Sequence, residues 1–212
     1  PIKDMVIIYE SLMKDLPDID HVDIPKLSQK SLNDLLLNAE KFAQEVLVPI
    51  NSIGDREPSF LENGVVRTPP GFKEAYQEYT RDGWVGITCE KEHGGKSLPK
   101  TISGFVDEIW SSSNLSFKLF SELTIGAYNC IYHNAEEDIK KIYLPKMAKG
   151  EWGGTMCLTE EQCGTDLGLI KTLATPINDN YYSIKGQKIY ITSGDQDLTE
   201  NVIHLVLAKT PN

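Results

Sequence analysis

Two short blocks of the sequence hold residue types that could do chemistry together. The first is Met156-Cys157-Leu158-Thr159-Glu160-Glu161-Gln162-Cys163-Gly164-Thr165-Asp166. It ends a strand-like run, turns through Gly164 and offers hydroxyls at Thr159 and Thr165. Such a turn can present backbone N–H groups and a hydroxyl to an anion without any basic residue. Ordinary turn chemistry uses the same residues. The second block is Gly186-Gln187-Lys188-Ile189-Tyr190-Ile191-Thr192-Ser193-Gly194. Here an aromatic, an aliphatic and a hydroxyl side chain stand in succession. An aromatic can flank a planar ring, and a hydroxyl can donate to a ring nitrogen. A half-buried strand with a surface tyrosine gives the same pattern, so each block alone leaves both readings open.

Other candidates carry less. Cys89 has His93 nearby and Cys130 has His133, which could in principle make a zinc site, but the paired-cysteine signature is absent. Cys89, Cys130, Cys157 and Cys163 read as small buried or half-buried thiols in a reducing compartment. His93 and His133 have glutamate neighbours, as is common in an acidic chain, and read as loop and helix residues. His204 reads as a satisfied strand residue. Lys91, Lys96 and Lys100 flank the Gly94-Gly95 loop, where a solvated surface and a phosphate contact are both conceivable.

The elements that must position these blocks fall into two textures. Residues 31–48 carry apolar side chains at helical spacing (Leu32, Leu35, Leu36, Ala39, Phe42, Ala43, Val46), with Ser31 as N-cap and Pro49 as exit or kink. Residues 2–16 form a shorter helix before it. Asn63-Gly64 makes a tight turn between two short extended runs. Helices follow over about 70–81, 99–112, 116–133 and 136–149, with Pro145 breaking the last and Gly150 ending it. After Gly150 the pattern turns to strands: Met156–Thr159, Lys171–Thr175, Tyr181–Ile184, Lys188–Thr192 and Val202–Ala208. Helices followed by antiparallel strands give an α+β class, divided at 1–150 and 151–212.

Composition bounds the function. The chain has 212 residues, 40% hydrophobic and 25% charged, long enough for a sizeable core and too apolar for disorder. Its net charge is −10, with −6 in residues 1–150 and −4 in the remainder. That spread-out acidity opposes nonspecific binding to nucleic acid or anionic membrane. The start is no signal peptide and no run reaches the 18 apolar residues of a membrane span, so a soluble, cytoplasmic protein is expected.

Taken together the two blocks are more specific. TEEQCGTD, followed by KTLATPINDNYYSIKGQKIYITSG, resembles the start of the middle domain of acyl-CoA dehydrogenases. That family shows Thr-Glu-Pro, two residues, Gly-Ser/Thr-Asp, then Gly-x-Lys-x-Trp-Ile-Thr-x-Gly. Asp55-Arg56-Glu57, Glu62–Phe72, Gly83-Trp84, His93-Gly94-Gly95 and Gly194–Lys209 resemble one branch in particular, which includes the methylmercaptopropionyl-CoA dehydrogenase type. The resemblance implies an N-terminal helical bundle followed by the first strands of an antiparallel β-barrel, as part of a longer flavoprotein oxidoreductase of fatty acid metabolism. It implies FAD against the barrel strands. Met156, Leu158 and Thr159 would face the pyrimidine side of the flavin, and Thr165 would bond the pyrophosphate. Tyr190, Ile191 and Thr192 would line the isoalloxazine, with the Thr192 hydroxyl near N5.

The implied reaction is α,β-dehydrogenation of an acyl-CoA: a glutamate takes the α proton while the β hydrogen leaves as hydride to N5. In the family that glutamate lies in or beside a C-terminal helical domain, so no catalytic residue is expected in this chain, and Glu160 belongs to the flavin loop. The implied partners are an acyl-CoA substrate, electron-transfer flavoprotein, and further copies of the chain in a homodimer or homotetramer. Two residues depart from the pattern. Glu161 stands where proline is usual, which questions the turn's stiffness, and Tyr190 stands where tryptophan is commoner. The alternative is a homologue that keeps the flavin scaffold without dehydrogenation and acts in alkylation response or as a structural partner. The helix face Phe117, Phe120, Leu123, Thr124, Ala127 is expected either to border the acyl chain or to form bundle core. A stand-alone helical interaction domain is opposed by the open run of strands, because unpaired edges aggregate.

Overall fold

A computed structural model describes residues 1–15 and 27–211. Seven α-helices precede most of the strands. Helix α1 (Ile2–Asp15) buries Ile2, Met5, Val6 and Tyr9, one stripe at helical spacing, on α2 (Gln29–Phe42), whose own stripe is Leu32, Leu36, Ala39 and Phe42. Residue 16 of the expected first helix lies outside the described residues. The N-cap of α2 is Ser28, whose hydroxyl accepts from the Ser31 backbone N–H at 3.1 Å. Ser31, the expected cap, therefore sits one turn inside. Both serines suit the role, and the chain begins helix at the earlier one.

Pro49 neither ends nor breaks this run. A single wide turn, Ala43–Leu47, leads directly into α3 (Val48–Arg56), and the Val48 N–H donates to Ala43 five residues back. Proline has no N–H and its ring presses on the carbonyl four residues earlier. The wide turn just before it makes room. Strands β1 (Phe60–Glu62) and β2 (Val65–Arg67) then form a hairpin through Asn63 and Gly64, both at positive φ, as the tight turn requires.

Helix α4 (Phe72–Arg81), α5 (Lys100–Ser113), α6 (Leu115–Asn134) and α7 (Glu137–Ala148) complete the bundle. Its centre is aromatic: Phe42, Tyr79, Trp84, Trp110 and Phe117 meet at 5.0–6.4 Å, mostly edge to face. Pro145 lies inside α7 and does not break it. Its neighbours Leu144, Met147 and Ala148 are fully buried, and that burial outweighs the one hydrogen bond proline forfeits. Gly150, at φ 74°, turns the chain out of the helix as expected.

Strand β3 (Trp152–Cys157) runs directly over α6. The Gly154 N–H donates to Thr124 Oγ1 at 3.0 Å, and a Cβ at Gly154 would stand 2.6 Å from the Ala127 Cβ. Strand β6 (Asn201–Val206) pairs with β3 in parallel, from Trp152↔Asn201 to Cys157↔Val206. The expected antiparallel arrangement holds only for the second hairpin, β4 (Leu173–Pro176) with β5 (Tyr182–Lys185), which turns through residues 178–180. Residues 158–200 form a long crossover, and only such a crossover lets two strands of one chain run side by side in the same direction. Lys188–Thr192 is not a strand: Tyr190 and Ser193 take left-handed φ values of 56° and 57°, which interrupt extended backbone. The α+β class is observed, and the strands of the described residues do not close into a barrel.

Candidate functional site

The two chemical blocks are brought together by Glu160. Its side chain is 3% exposed, yet every neighbour of its carboxylate is a donor. Oε1 accepts from the Thr172 hydroxyl at 2.6 Å, the Thr172 N–H at 3.0 Å and Lys188 Nζ at 2.9 Å. Oε2 accepts from the Lys171 N–H at 2.7 Å and Gln162 Nε2 at 2.6 Å. The Thr172 hydroxyl leads this set of bonds, which hold the Glu160 carboxyl far below the usual glutamate range despite its burial. Lys188 also donates to the Leu158 carbonyl at 2.9 Å, and the Ile189 N–H donates to the Thr159 carbonyl at 3.0 Å. The end of β3, the 160–163 turn, the start of β4 and the 186–189 segment thus form one knot. A carboxylate so occupied anchors structure and is poorly suited to take a proton from a substrate.

The turn expected to be loosened by Glu161 is closed without proline. Glu160 and Cys163 exchange reciprocal backbone bonds at 2.9 and 3.1 Å, and Gln162 Nε2 reaches the Leu169 carbonyl at 3.1 Å. Glu161 itself points to solvent.

In the chain, Met156, Leu158, Thr159 and Thr165 belong to the strand and turn around Glu160, and Tyr190, Ile191 and Thr192 to the loop that follows Lys188 and Ile189. Met156, Thr165, Tyr190 and Thr192 are exposed, Tyr190 to 89%, while Leu158, Thr159 and Ile191 are half-buried. The hydroxyls of Thr159, Thr165 and Thr192 bond to no partner among the described residues, nor do the N–H groups of residues 164–166 and 190–192. Thr159 and Gly164 adjoin, with the Thr159 Cγ2 3.8 Å from where a Gly164 Cβ would stand. The two segments therefore carry unspent hydroxyls and main-chain donors and one exposed aromatic ring. That donor set fits an anionic and heteroaromatic ligand such as FAD.

The remaining candidates resolve differently. Burial pushes the Cys89 thiol up to about 12, so it is no thiolate at neutral pH. The Tyr128 hydroxyl accepts from the Glu90 N–H at 3.0 Å and lies 2.6 Å from His93 Nδ1, so His93 is held in a structural hydrogen-bond chain. His204 Nδ1 meets Thr155 Oγ1 at 2.7 Å, as a satisfied strand residue would. Cys157 and Cys163 are buried, but Cys130 is exposed, against expectation. Lys96 is half-buried: its ammonium donates to the Asp82 carbonyl at 2.9 Å and covers the Trp84 ring. Phe117, Phe120, Thr124 and Ala127 are buried, so the α6 face is bundle core.

Three features went unread in the sequence. Thr172 and Lys188 stand 12 and 28 positions from Glu160, and no local pattern connects them. Asp197, which bonds Thr68, is equally remote. Lys118 is buried in α6 beside Asp107 at 3.0 Å, at a position where periodicity alone predicts an apolar residue.

Comparison with known proteins gives a consistent picture. The model of the family described as "Acyl-CoA dehydrogenase, N-terminal domain" matches residues 30–151. The 3-methylmercaptopropionyl-CoA dehydrogenase of Ruegeria pomeroyi is 39% identical over 100% of this chain and 36% of its own length. A butyryl-CoA dehydrogenase of Syntrophomonas wolfei is 41% identical over 81% of this chain and 29% of its own length. The chain thus spans about a third of the relatives it matches. The solved structure of butyryl-CoA dehydrogenase from Megasphaera elsdenii shares the fold, with a TM-score of 0.70 at 24% identity over 90% of this chain and 46% of that one.

Proposed function

Because the chain belongs to the acyl-CoA dehydrogenase family, we propose that it is the helical and flavin-facing part of an FAD-dependent enzyme that dehydrogenates an acyl-CoA thioester between its α and β carbons. The observation that carries this reading is the set of unbonded donors on the two segments that Glu160 and Lys188 tie together. When bound, FAD supplies the hydride acceptor. Thr165 and the free N–H groups of residues 164–166 hold its pyrophosphate without a cation. Met156, Leu158 and Thr159 cover the pyrimidine side. Tyr190 and Ile191 flank the ring, and the Thr192 hydroxyl donates to a ring nitrogen. Glu160 keeps these two sets of residues in register and takes no part in proton transfer. No base is assigned among the described residues.

We place the domain boundary at 150/151, where Gly150 turns α7 into β3 and the Tyr76 hydroxyl clasps the Gly150 carbonyl at 2.9 Å. The substrate is an acyl-CoA, the electron acceptor electron-transfer flavoprotein, and the assembly a homodimer or homotetramer working in the cytoplasm. No helix of the described residues is long and apolar enough to cross a membrane. The test is anaerobic addition of a series of acyl-CoAs to the flavin-loaded product of the complete reading frame that encodes these residues. Bleaching of the visible flavin band by at least one acyl-CoA is expected. A stable flavin band with every chain length would overturn the dehydrogenase reading.

A further inference from the structure

Residues 190–195 have a single backbone hydrogen bond of their own, from the Gly194 N–H to the Ile191 carbonyl. They belong to no strand, and Tyr190 and Ser193 hold left-handed φ values that disfavour residues other than glycine. Contacts at the two ends must therefore fix this loop. On the N-terminal side Ile189 and Lys188 tie it to Thr159 and Glu160. On the C-terminal side the tie is Asp197, and it reaches into the helical unit. Asp197 Oδ1 accepts from the Thr68 N–H at 3.1 Å and from Thr68 Oγ1 at 2.7 Å, and Oδ2 lies 3.7 Å from the Arg67 guanidinium. Arg67 ends β2 and in turn meets Glu62 across the hairpin at 3.2 Å. Beside Asp197, Gln196 Oε1 accepts from the N–H groups of Leu198 and Thr199, and Leu198 packs on the helical core. The loop, the hairpin, α3, and the starts of α4 and α6 enclose a groove of about 800 Å³, with Ile191 and Ser193 on one wall and Val66 and Phe120 among the others.

We propose that Asp197 is the positioning residue of this site: through Thr68 and Arg67 it fixes the 190–195 loop on the hairpin, and with it Tyr190, Ile191 and Thr192. The inference rests on the assignment of those three residues to the flavin, and its test separates the two claims. Burial alone would raise the Asp197 carboxyl, but the Thr68 bonds, with Lys73 nearby, bring it below the usual aspartate value, as a clamp made by the ionised form requires. Asp197 acts on the ligand only through the loop.

The experiment is hydrogen exchange of the complete protein, without and with FAD. In Asp197→Ala, exchange of the hydrogen-bonded amides of Gly194, Leu198 and Thr199 rises about tenfold or more, the scale of one lost set of charge-assisted bonds, while α2 and α5 keep their protection. Asp197→Asn keeps an oxygen to accept from Thr68 and restores most of the protection. With FAD, Asp197→Ala shifts the visible flavin band and weakens binding about tenfold, and Asp197→Asn keeps the wild-type spectrum. Unchanged exchange at Gly194, Leu198 and Thr199 in Asp197→Ala overturns the inference. Raised exchange with wild-type flavin affinity and spectrum upholds the clamp and overturns the flavin assignment of Tyr190, Ile191 and Thr192. If Asp197→Ala also loosens α5, Thr68→Val carries the test. It removes only the hydroxyl donor, and exchange at Gly194, Leu198 and Thr199 is then expected to rise about threefold, with no rise counting against the clamp.

Discussion

Glu160 is the residue on which the site turns, and its chemistry is unusual only in completeness. A buried carboxylate is costly unless donors surround it, and here five donor atoms do so. Its carboxyl is held below its unfolded value of 4.5. The stability it contributes is therefore present above that pH and lost as pH falls toward the folded value. Glu160→Gln should destabilise the protein at neutral pH, and the gap to wild type in urea unfolding should narrow on acidification to about pH 3, where the unfolded carboxyl is protonated. A gap that stays constant from neutral pH downward would contradict this account. The residue stood in a motif that was legible in the sequence, but its role did not. Thr172 and Lys188 converge on it only through the fold.

At the scale of elements, the contact that places the site is β3 on α6. Gly154 lets the strand backbone lie against Thr124 and Ala127. Gly154→Ala forces a Cβ into that contact and is expected to cost about 1–3 kcal/mol in urea unfolding, because overpacking a fixed interface strains both sides. Gly126→Ala, on the same helix but facing open space, is expected to stabilise by about 0.5–1 kcal/mol, since it restricts only the unfolded chain. Equal effects at the two positions would remove the argument for close approach. The helices were legible because their apolar stripes repeat over several turns. Pro49 and Pro145 misled because packing tolerates a proline that local rules would make a terminus. The segment Lys188–Thr192 misled in the opposite way. Its residues favour strand, but Tyr190 and Ser193 turn left-handed and leave their donors free.

Over the whole molecule, the change of texture at Gly150 was visible in the sequence, and the α+β class followed from it. What the sequence did not disclose is how far the two parts interlock. The parallel pairing of β6 with β3 and the reach of Asp197 to Thr68 both join residues far apart in the chain, and neither leaves a local signature. The two chemical blocks, ambiguous singly, are tied together through Glu160 and Lys188 with their hydroxyls unspent. These two blocks as the flavin site are the central claim, and titration of the apoprotein of the complete reading frame with FAD tests it most directly. Wild-type protein should bind FAD, and the triple variant Thr159→Ala, Thr165→Ala, Thr192→Ala should bind it about a hundredfold more weakly, as the loss of several hydrogen bonds to a charged ligand requires. Equal affinity of the two proteins would contradict the account and move the flavin elsewhere.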